Sequence, residues 1–440
     1  MTDKRIAIVG AGANGAAFGA DMVNAGLDVT FIEQWPEHVM AMRADGLRVE
    51  MPDETVTTRV TVFHTCEVAA LTEPFDIVFL GVKAYDTRWA CELIRPLVAP
   101  DGLVVGLQNG MTLDDVADIM GPERTIGAVI EVAAGLYEPG VVTRQTGPAG
   151  TWFGIGAYDD ATRGREAEIV DILRHAGKAE IKADIRSAKW MKLVVNAAEF
   201  LPSSILGLPL ADAVAIPGIR DVMAASGREA VHTAMALGHE LVPIFGHERI
   251  EENDPDAYAT ALFEAVLDRW TLPDTKVTTL QDWLKGRRAE VDAINGLVVA
   301  EQERLGGTAP AARAARLTTG AVRVCADAPH CAGTVLPEPP PAGKANTMAN
   351  QSAPWSVYIL ECADGTLYTG ITTDLERRLA AHASGRGAKY TRGRAPFTVL
   401  YAERLDTRSL ASRRERAIKA LDRAAKLRLA ARLPQDEDVA

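Results

Sequence analysis

The sequence has little cysteine and no long apolar run, and both shortages limit what the protein can be. Its five cysteines are an odd number among 440 residues and show no framework spacing. This favours reduced thiols over a disulfide scaffold. No run of about 18 apolar residues occurs, so a membrane-spanning helix is not expected. Residues 1–5 lead at once into a strand-like run and leave no room for a signal peptide. We therefore expect a cytoplasmic protein without a membrane partner.

Positive charge is scarce in the first 353 residues and in excess after them. The first 353 residues carry 31 Lys and Arg against 48 Asp and Glu, whereas the last 87 carry 16 against 11. A basic module joined to an acidic one suggests a polyanion partner for the basic module alone. An arginine-rich helix face exposed to water explains the same excess equally well.

Residues 5–33 have the pattern of a βαβ unit that binds a dinucleotide. An apolar, β-branched run at 5–9 predicts a buried parallel strand and leads into a GxGxxG turn. The first glycine permits the tight bend, the second lets backbone amides approach a diphosphate, and the third lets the helix pack on the strand. The predicted cofactor contacts in this turn are Gly10, Gly12, Ala13, Asn14 and Gly15.

Glu33 ends the second predicted strand, 18 residues after Gly15. A carboxylate at this place usually accepts hydrogen bonds from ribose hydroxyls and repels a 2′-phosphate, so it favours NAD over NADP. If Glu33 turns outward, Arg43 or another cation can hold the phosphate of NADP. Both cofactors therefore stay open.

The remaining pattern predicts an α/β fold of Rossmann type followed by helices. Apolar runs at 76–80 and 102–106 each end in polar residues, and ligands bind at the carboxyl edge of such a sheet. From about residue 186 the pattern is helical almost to residue 324. We therefore predict a dinucleotide-binding domain over 1–185 and an all-α helical domain over 186–324, with a cleft between them.

A linker and a third domain complete the predicted organisation. Residues 325–353 are rich in Ala, Pro and Gly and show no helical or strand period, which is typical of a linker. Met348 stands where a separate protein could begin, so a fusion of two genes is one interpretation. Residues 354–434 then predict a small α+β domain.

One predicted helix carries a candidate catalytic lysine. Lys192 and Asn196 are four residues apart and share a helix face. A lysine among apolar neighbours is rarely buried without a purpose, and a desolvated lysine can act as a general acid. A surface lysine with its stem along apolar groups is the alternative, and the spacing does not decide between them.

A series of motifs along the first 323 residues resembles the ketopantoate reductase (2-dehydropantoate 2-reductase) family. In order, the motifs are Lys83, QNG at 108–110, WMKLVVN at 190–196, QD at 281–282, EVD at 290–292 and NG at 295–296. The resemblance implies hydride transfer from NADPH, or here NADH, to the C2 carbonyl of a branched 2-oxo acid. It also implies a possible homodimer through the helical domain.

The same resemblance implies a role for each motif residue. Lys192 would protonate the developing alkoxide, and Lys83 and Asn109 would line the nicotinamide side of the cleft. The substrate's carboxylate and hydroxyl groups would be held by Asn196, Thr278 and Glu290, with Glu290 also counted among the catalytic residues.

Two positions depart from the family pattern. Phe200, preceded by Glu199, stands where the family usually has a second Asn one turn beyond Asn196. Gln34 stands where the family usually has Arg after the second strand. Both departures weaken the expectation that ketopantoate is the substrate, and they leave hydride transfer intact. A divergent NAD-dependent hydroxyacid dehydrogenase with another substrate is therefore the alternative.

The C-terminal segment, at about 355–433, resembles the small stand-alone bacterial form of the GIY-YIG nuclease domain. An alternating run, an Asp-Gly turn and a returning run place Tyr358 and Tyr368 on adjacent strands. By the resemblance, a tyrosine assists the attacking water, Arg378 stabilises the phosphate, and Glu415 is catalytic and holds Mg²⁺. The first motif reads Val-Tyr-Ile here, and Thr369 replaces an Ile in the second.

The implied partner of the C-terminal domain is DNA or RNA. Cross-strand packing explains the two tyrosines, and a solvated face explains the arginines, if the domain does not cleave. A further alternative is a nucleic-acid nuclease or binder in which the dehydrogenase half acts as a redox sensor.

Overall fold

The computed structural model describes two compact units, Met1–Val335 and Leu336–Ala440. In the first unit it describes residues 4–247 and 254–315. In the second it describes residues 355–373, 375, 377–379, 394–405, 414, 418, 419, 423 and 426. The predicted linker at 325–353 lies outside the described residues.

The described strands of the first unit are β1 (Arg5–Val9), β2 (Asp28–Glu33), β3 (Leu47–Glu50), β4 (Thr55–Thr58), β5 (Thr61–His64), β6 (Phe75–Leu80), β7 (Val98–Gly106), β8 (Thr125–Glu131), β9 (Ala134–Glu138), β10 (Val141–Arg144), β11 (Trp152–Ala157) and β12 (Lys178–Ile181). The described helices are α1 (Ala13–Asn24), α2 (Pro36–Asp45), α3 (Thr87–Ile94), α4 (Leu113–Met120), α5 (Glu166–Leu173), α6 (Ile185–Leu206), α7 (Leu210–Ala215), α8 (Ile219–Ala236), α9 (Pro255–Arg269), α10 (Thr278–Leu284) and α11 (Asn295–Arg304).

Eight of these strands form one sheet in the order β12-β11-β8-β7-β6-β1-β2-β5. Neighbouring strands are parallel except β8 and β11, which are antiparallel. Strand β1 is buried on both faces: Ile6 and Ile8 pack in one core with Phe18 of α1, and Ala7 and Val9 pack in another. Burial on both faces explains why its sequence is apolar throughout and does not alternate.

A second sheet of four short strands, in the order β4-β3-β10-β9, was not predicted from the sequence. Strands β3 and β10 are parallel, and the other pairs are antiparallel. Their runs of four or five residues are too short to show a clear period of two, so periodicity alone could not find them.

The helical part is built around α6. The Asp184 side chain accepts a hydrogen bond from the Ser187 amide at its start, and Gly207, with a φ of 68°, ends it. Nearly every α6 side chain up to Ser204 is buried, against α8, α9 and the strands β8 and β11. A helix buried on all sides lies in the core, and it places Lys192 and Asn196 inside the first unit.

The predicted α/β fold followed by helices is confirmed. Residue 185, where the predicted domain boundary lies, is the first residue of α6, and the α/β and helical parts belong to one compact unit. Across the ranges that the structure describes, no helix is long and apolar enough to cross a bilayer.

The second unit contains an antiparallel three-stranded sheet in the order β14-β13-β15. Its strands are β13 (Trp355–Cys362), β14 (Leu367–Thr372) and β15 (Phe397–Leu405). A small core joins Val357, Ile359 and Tyr401 of the sheet to Ile418 of a later helical stretch. This arrangement matches the small α+β domain predicted for this part of the chain.

Candidate active site

The glycine turn between β1 and α1 opens into a groove of about 120 Å³. Gly10 has a φ of 97°, and a Cβ there would lie 2.7 Å from the backbone of Gly81, so only glycine fits. At Gly12, by contrast, a Cβ would meet nothing within 4 Å. No side chain caps the first turn of α1, so its amide groups are available to an anion. Gly12, Ala13 and Asn14 line this groove, and Gly15 packs the helix against the turn.

Glu33 lies at the carboxyl end of β2 and turns inward. It is 6% exposed, and its Oε1 accepts a hydrogen bond of 2.9 Å from the Trp35 amide. Burial raises the pKa of this carboxyl, although hydrogen bonds from backbone amides, including that of Ala11, oppose the rise. Arg43, the cation considered for a 2′-phosphate, bonds instead to Glu67 and to the carbonyl of Val62.

Two cations that the sequence did not single out line the same groove. Lys285 and Arg287 follow α10, about 270 residues after the glycine turn in the chain, and only the tertiary fold brings them here. The Arg287 guanidinium lies 4.9 Å from the centre of the Trp35 ring. Burial lowers the pKa of Lys285 to about 8. Together they add positive charge to the groove that the first residues of α1 also line.

Lys83 is held by two buried carboxylates from the helical part. Its Nζ lies 2.7 Å from Asp282 Oδ2 and 3.4 Å from Glu290 Oε2, and Glu290 Oε1 accepts a hydrogen bond from the Ala84 amide. Burial alone would lower the pKa of Lys83, but the carboxylates of Glu290 and Asp282 raise it above its ordinary value. Lys83, Asp282 and Glu290 all line the groove.

A second buried lysine, Lys189, supports the loop that carries Asn109. Its side chain is 3% exposed, and its Nζ donates to the carbonyls of Gln108 at 2.8 Å and Ala128 at 3.3 Å. Burial lowers its pKa to about 8. No sequence pattern indicated this role, because Lys189 stands in a helix among many apolar residues and its partners are backbone atoms.

A larger cavity of about 240 Å³ contains the predicted general acid. Lys192 lines this cavity, is 12% exposed and pairs with Glu131 at the end of β8. Its Nζ also lies 5.2 Å from the centre of the Phe245 ring. The spacing of Lys192 and Asn196 gave no sign of Glu131, which lies 61 residues earlier in the chain. Lys192 is therefore a buried lysine of the site and not a surface lysine.

Of the other predicted substrate residues, Thr278 lines this cavity, whereas Asn196 and Glu290 are not among the residues that line it. Asn196 is fully buried, and its Nδ2 donates to Asn109 Oδ1 at 3.1 Å. Its Oδ1 has no hydrogen-bond partner in the structure. Thr278, at the start of α10, lines both the cavity and the groove. Glu290 lines the groove, beside Lys83, and is not among the residues that line the larger cavity.

The groove and the cavity are neighbours with shared walls. Asn14, Asn109, Thr278 and Gln281 line both. A dinucleotide whose diphosphate lies on α1 would therefore have its other end near the cavity that contains Lys192. The arrangement can present a hydride donor and a proton donor to one small molecule.

In the second unit, three of the four predicted catalytic side chains come together: two on the sheet and one on the helical stretch that follows it. Tyr358 is fully buried, and Arg378 Nε donates to its hydroxyl at 3.2 Å. The ring centres of Tyr358 and Tyr368 are 6.2 Å apart. Tyr358 faces Gly370 across the strand pair, where a Cβ would lie 2.8 Å from the tyrosine hydroxyl. The missing side chain at 370 makes room for this hydroxyl.

Glu415, the predicted Mg²⁺ ligand, lies outside the described residues. In the part of the chain that the structure covers, no group of three or more His, Cys, Asp or Glu could hold a metal ion. A polar network of the described residues in this unit was not predicted: Glu403 accepts hydrogen bonds from Tyr401 at 2.5 Å and from Arg414 at 2.6 Å.

Family models match both units. The model of ketopantoate reductase PanE/ApbA matches residues 6–157, and the model of the ketopantoate reductase PanE/ApbA C terminal matches residues 184–316. The model of the GIY-YIG catalytic domain matches residues 354–428.

Individual proteins show the same division. A 2-dehydropantoate 2-reductase of Archaeoglobus fulgidus is 29% identical over 310 residues, which are 70% of this chain and 93% of that protein. A UPF0213 protein of Natronomonas pharaonis is 59% identical over 75 residues, which are 17% of this chain and 88% of that protein. The crystal structure of a PanE/ApbA family ketopantoate reductase from Ralstonia eutropha has a TM-score of 0.61 and 28% identity, covering 72% of this chain and 98% of that one.

Proposed function

The chain belongs to the ketopantoate reductase family over residues 6–316 and carries a GIY-YIG domain after it, and we propose that the first unit reduces a 2-oxo acid with a nicotinamide cofactor. One observation carries this proposal: Lys192 lines a cavity that shares Asn14 and Asn109 with the groove at the glycine turn. A proton donor therefore lies beside the place where a nicotinamide ring would end.

The groove fits a dinucleotide. The uncapped first turn of α1 and the open space at Gly12 offer backbone amides to a diphosphate. Lys285 and Arg287, which line the same groove, add positive charge. When bound, the cofactor supplies the hydride that reaches C2 of the substrate.

The residues of the cavity would supply the proton and the orientation. We propose that the Lys192 ammonium donates a proton to the C2 oxygen as that oxygen gains negative charge. Thr278, which lines the cavity, and Asn196, which bonds to the cavity residue Asn109 and whose Oδ1 lacks a partner, would bind polar groups of the substrate. Glu290 already accepts hydrogen bonds from Lys83 and the Ala84 amide, so we propose that it positions Lys83. A direct contact between Glu290 and the substrate stays a prediction.

We propose NADH as the preferred cofactor. Glu33 is buried at the end of β2 and turned toward the glycine turn, where a carboxylate suits ribose hydroxyls and repels a 2′-phosphate. Arg287 beside Trp35 is the group that could reverse this preference. Titration of the full chain with NADH and with NADPH, followed by cofactor fluorescence, should give the lower Kd for NADH.

The proposed substrate is a 2-oxo acid with a branched or bulky apolar substituent. Phe200 and Trp270 are both buried and line the cavity, and they favour apolar groups. The decisive experiment is oxidation of NADH and NADPH, followed by absorbance, with ketopantoate and a panel of other 2-oxo acids. Turnover of any of them supports the proposal, and turnover of ketopantoate shows that Phe200 is compatible with that substrate. If none oxidises either cofactor, the proposal is wrong.

For the second unit we propose Mg²⁺-dependent cleavage of nucleic-acid phosphodiesters. The contact between Arg378 and Tyr358 is the observation that favours it, because a cation beside a hydroxyl is what a phosphate site needs. Labelled single-stranded and double-stranded DNA and RNA should be nicked by the full chain with Mg²⁺ and stay intact with EDTA. Intact substrates in both conditions would exclude cleavage and leave binding alone. Mg²⁺ binding by Glu415 and a homodimer through the helices stay predictions.

A further inference from the structure

The cavity that contains Lys192 holds a second, unpaired carboxyl group. Glu199 is on α6, seven residues after Lys192 and three after Asn196, so the three side chains share one helix face. Glu199 is 5% exposed and lines the cavity. Among the described residues, none donates a hydrogen bond to its carboxyl group. A buried polar group without a partner, directed into a cavity, points to a ligand.

The charges around Glu199 determine whether its carboxyl group can be ionised when an anionic substrate binds. Lys192 on α6 and Glu131 on β8 face it, and these two already form an ion pair. Lys276 and Asp274 line the same cavity, and Asp274 accepts a hydrogen bond from Gln145. The residues that α7, α9 and α10 add to the cavity are uncharged: Leu210, Val266, Thr278 and Gln281.

A substrate carboxylate in this cavity would therefore face the Lys192 ammonium, whose positive charge is already balanced by Glu131. If Glu199 were also ionised, its carboxylate and that of the substrate would repel each other, because Lys192 is already paired with Glu131. Lys276, which also lines the cavity, is not among the charges that act on the Glu199 carboxyl. A neutral Glu199 removes this repulsion and offers an O–H donor to the anion. Hydrogen bonds from a neutral acid to a carboxylate are short and strong.

We propose that Glu199 is a substrate-binding residue of the reductase site, and that its neutral carboxyl donates a hydrogen bond to the carboxylate of the 2-oxo acid. This inference rests on the proposed reductase function. The affinity for the substrate would then depend on pH. An anionic 2-oxo acid binds while Glu199 keeps its proton and is released more easily once the proton is lost.

The titration of Glu199 supports the proposal independently of the contact pattern. Burial raises the pKa of its carboxyl to about 8; Lys192 opposes this rise, and Glu131 adds to it. The neutral form is therefore the main form at pH 7. Half of the carboxyl groups would be ionised at about pH 8, and most of them above it.

The test compares wild type with Glu199→Gln and Glu199→Ala, using the full chain and the best 2-oxo acid from the substrate panel. KM of the wild type should rise about tenfold per pH unit above about pH 8, as for the loss of one proton. Glu199→Gln keeps an N–H donor and should show a KM without this rise. Glu199→Ala should raise KM at pH 7 about tenfold or more, with the Kd of NADH unchanged. Glu138→Gln, at an exposed position of β9, is the matched control.

The outcomes separate this inference from the reductase proposal. Turnover with the same KM and the same pH profile in wild type and both Glu199 variants overturns the inference alone. Absence of turnover, together with no binding of oxamate to the NADH-loaded chain, overturns the reductase proposal and the inference with it. If Glu199→Ala does not fold, the pH profile of Glu199→Gln decides the question.

Discussion

The candidate site of the first unit gathers distant parts of the chain, whereas that of the second unit is local. Lys83 and Glu290 are 207 residues apart and touch, and Lys192 pairs with a glutamate 61 residues earlier. In the second unit, Arg378 follows Tyr358 by 20 residues, and Tyr368 comes from the adjacent strand of one hairpin. A site of the first kind exists only after the whole unit has folded, whereas one hairpin and the helical stretch after it suffice for the contacts of the second.

The largest effect on activity is expected from a substitution in the site of the first unit. Lys192→Ala should lower kcat for 2-oxo acid reduction by about 10²–10⁴-fold, because the site loses its proton donor. The Kd of NADH should change little, since Lys192 lines the cavity and not the groove at the glycine turn. Lys178→Ala, at a largely exposed position, is the matched control. Loss of NADH affinity with unchanged kcat would contradict the acid role.

Acid should weaken the first unit through His38, which joins distant parts of the chain. This fully buried ring contacts the Ala11 carbonyl and accepts a hydrogen bond from the Gly140 amide, and burial lowers its pKa to about 4. The unfolded chain, with an ordinary histidine pKa, binds the proton first, so stability falls from about pH 6.5 down to about pH 4.

From pH 7.5 to pH 5, the loss attributable to His38 should be about 2 kcal/mol in the free energy of unfolding. Urea denaturation followed by tryptophan fluorescence measures it, because six of the seven tryptophans lie in the first unit. A His38→Gln variant should lose this part of the pH dependence. An unchanged slope in that variant would show that other groups cause it.

A smaller and more selective effect is expected at the glycine turn. Gly12→Ala places a methyl group in the open space of the groove and should raise the Kd of NADH about tenfold, without a loss of stability. Gly15→Ala is the contrast, because its Cβ would lie 2.2 Å from the Gly10 carbonyl oxygen and should destabilise the unit. Thermal melting and NADH titration of both variants separate the two effects. Equal affinity in Gly12→Ala and wild type would argue against diphosphate binding here.

The smallest effect on reduction is expected when the local site is changed. Tyr358→Phe removes the hydroxyl that Arg378 contacts and should cost the second unit about 1 kcal/mol of stability, together with any nicking activity. NADH oxidation by the same sample should stay at the wild-type rate. Tyr401→Phe, which removes a hydroxyl from the Glu403–Arg414 network, serves as the control that should keep nicking. A parallel fall in NADH oxidation would show that the two units are coupled.

The difference between the sites also explains what could be predicted. The sequence predicted the glycine turn and the strand–turn–strand of the second unit, because in both the chemistry and the local structure occupy one short stretch. Lys83 and Asn109 were found by resemblance and Lys192 also by its helix spacing, and the structure brings all three around neighbouring cavities. Glu131, Lys189 and Arg287 were missed, since their partners are distant in the chain or are backbone atoms.

The sequence by itself determined the order of the α/β, helical and small α+β parts, the tight turn at Gly10 and the shared helix face of Lys192 and Asn196. These depend on local periodicity and on the steric freedom of single residues. Only the tertiary structure decided that Lys192 is paired with Glu131 while Glu199 is left without a partner, and that Glu33 turns inward. Charge pairing and burial depend on which side chains, distant in the chain, meet in the interior of the folded protein. A local sequence pattern does not contain that information.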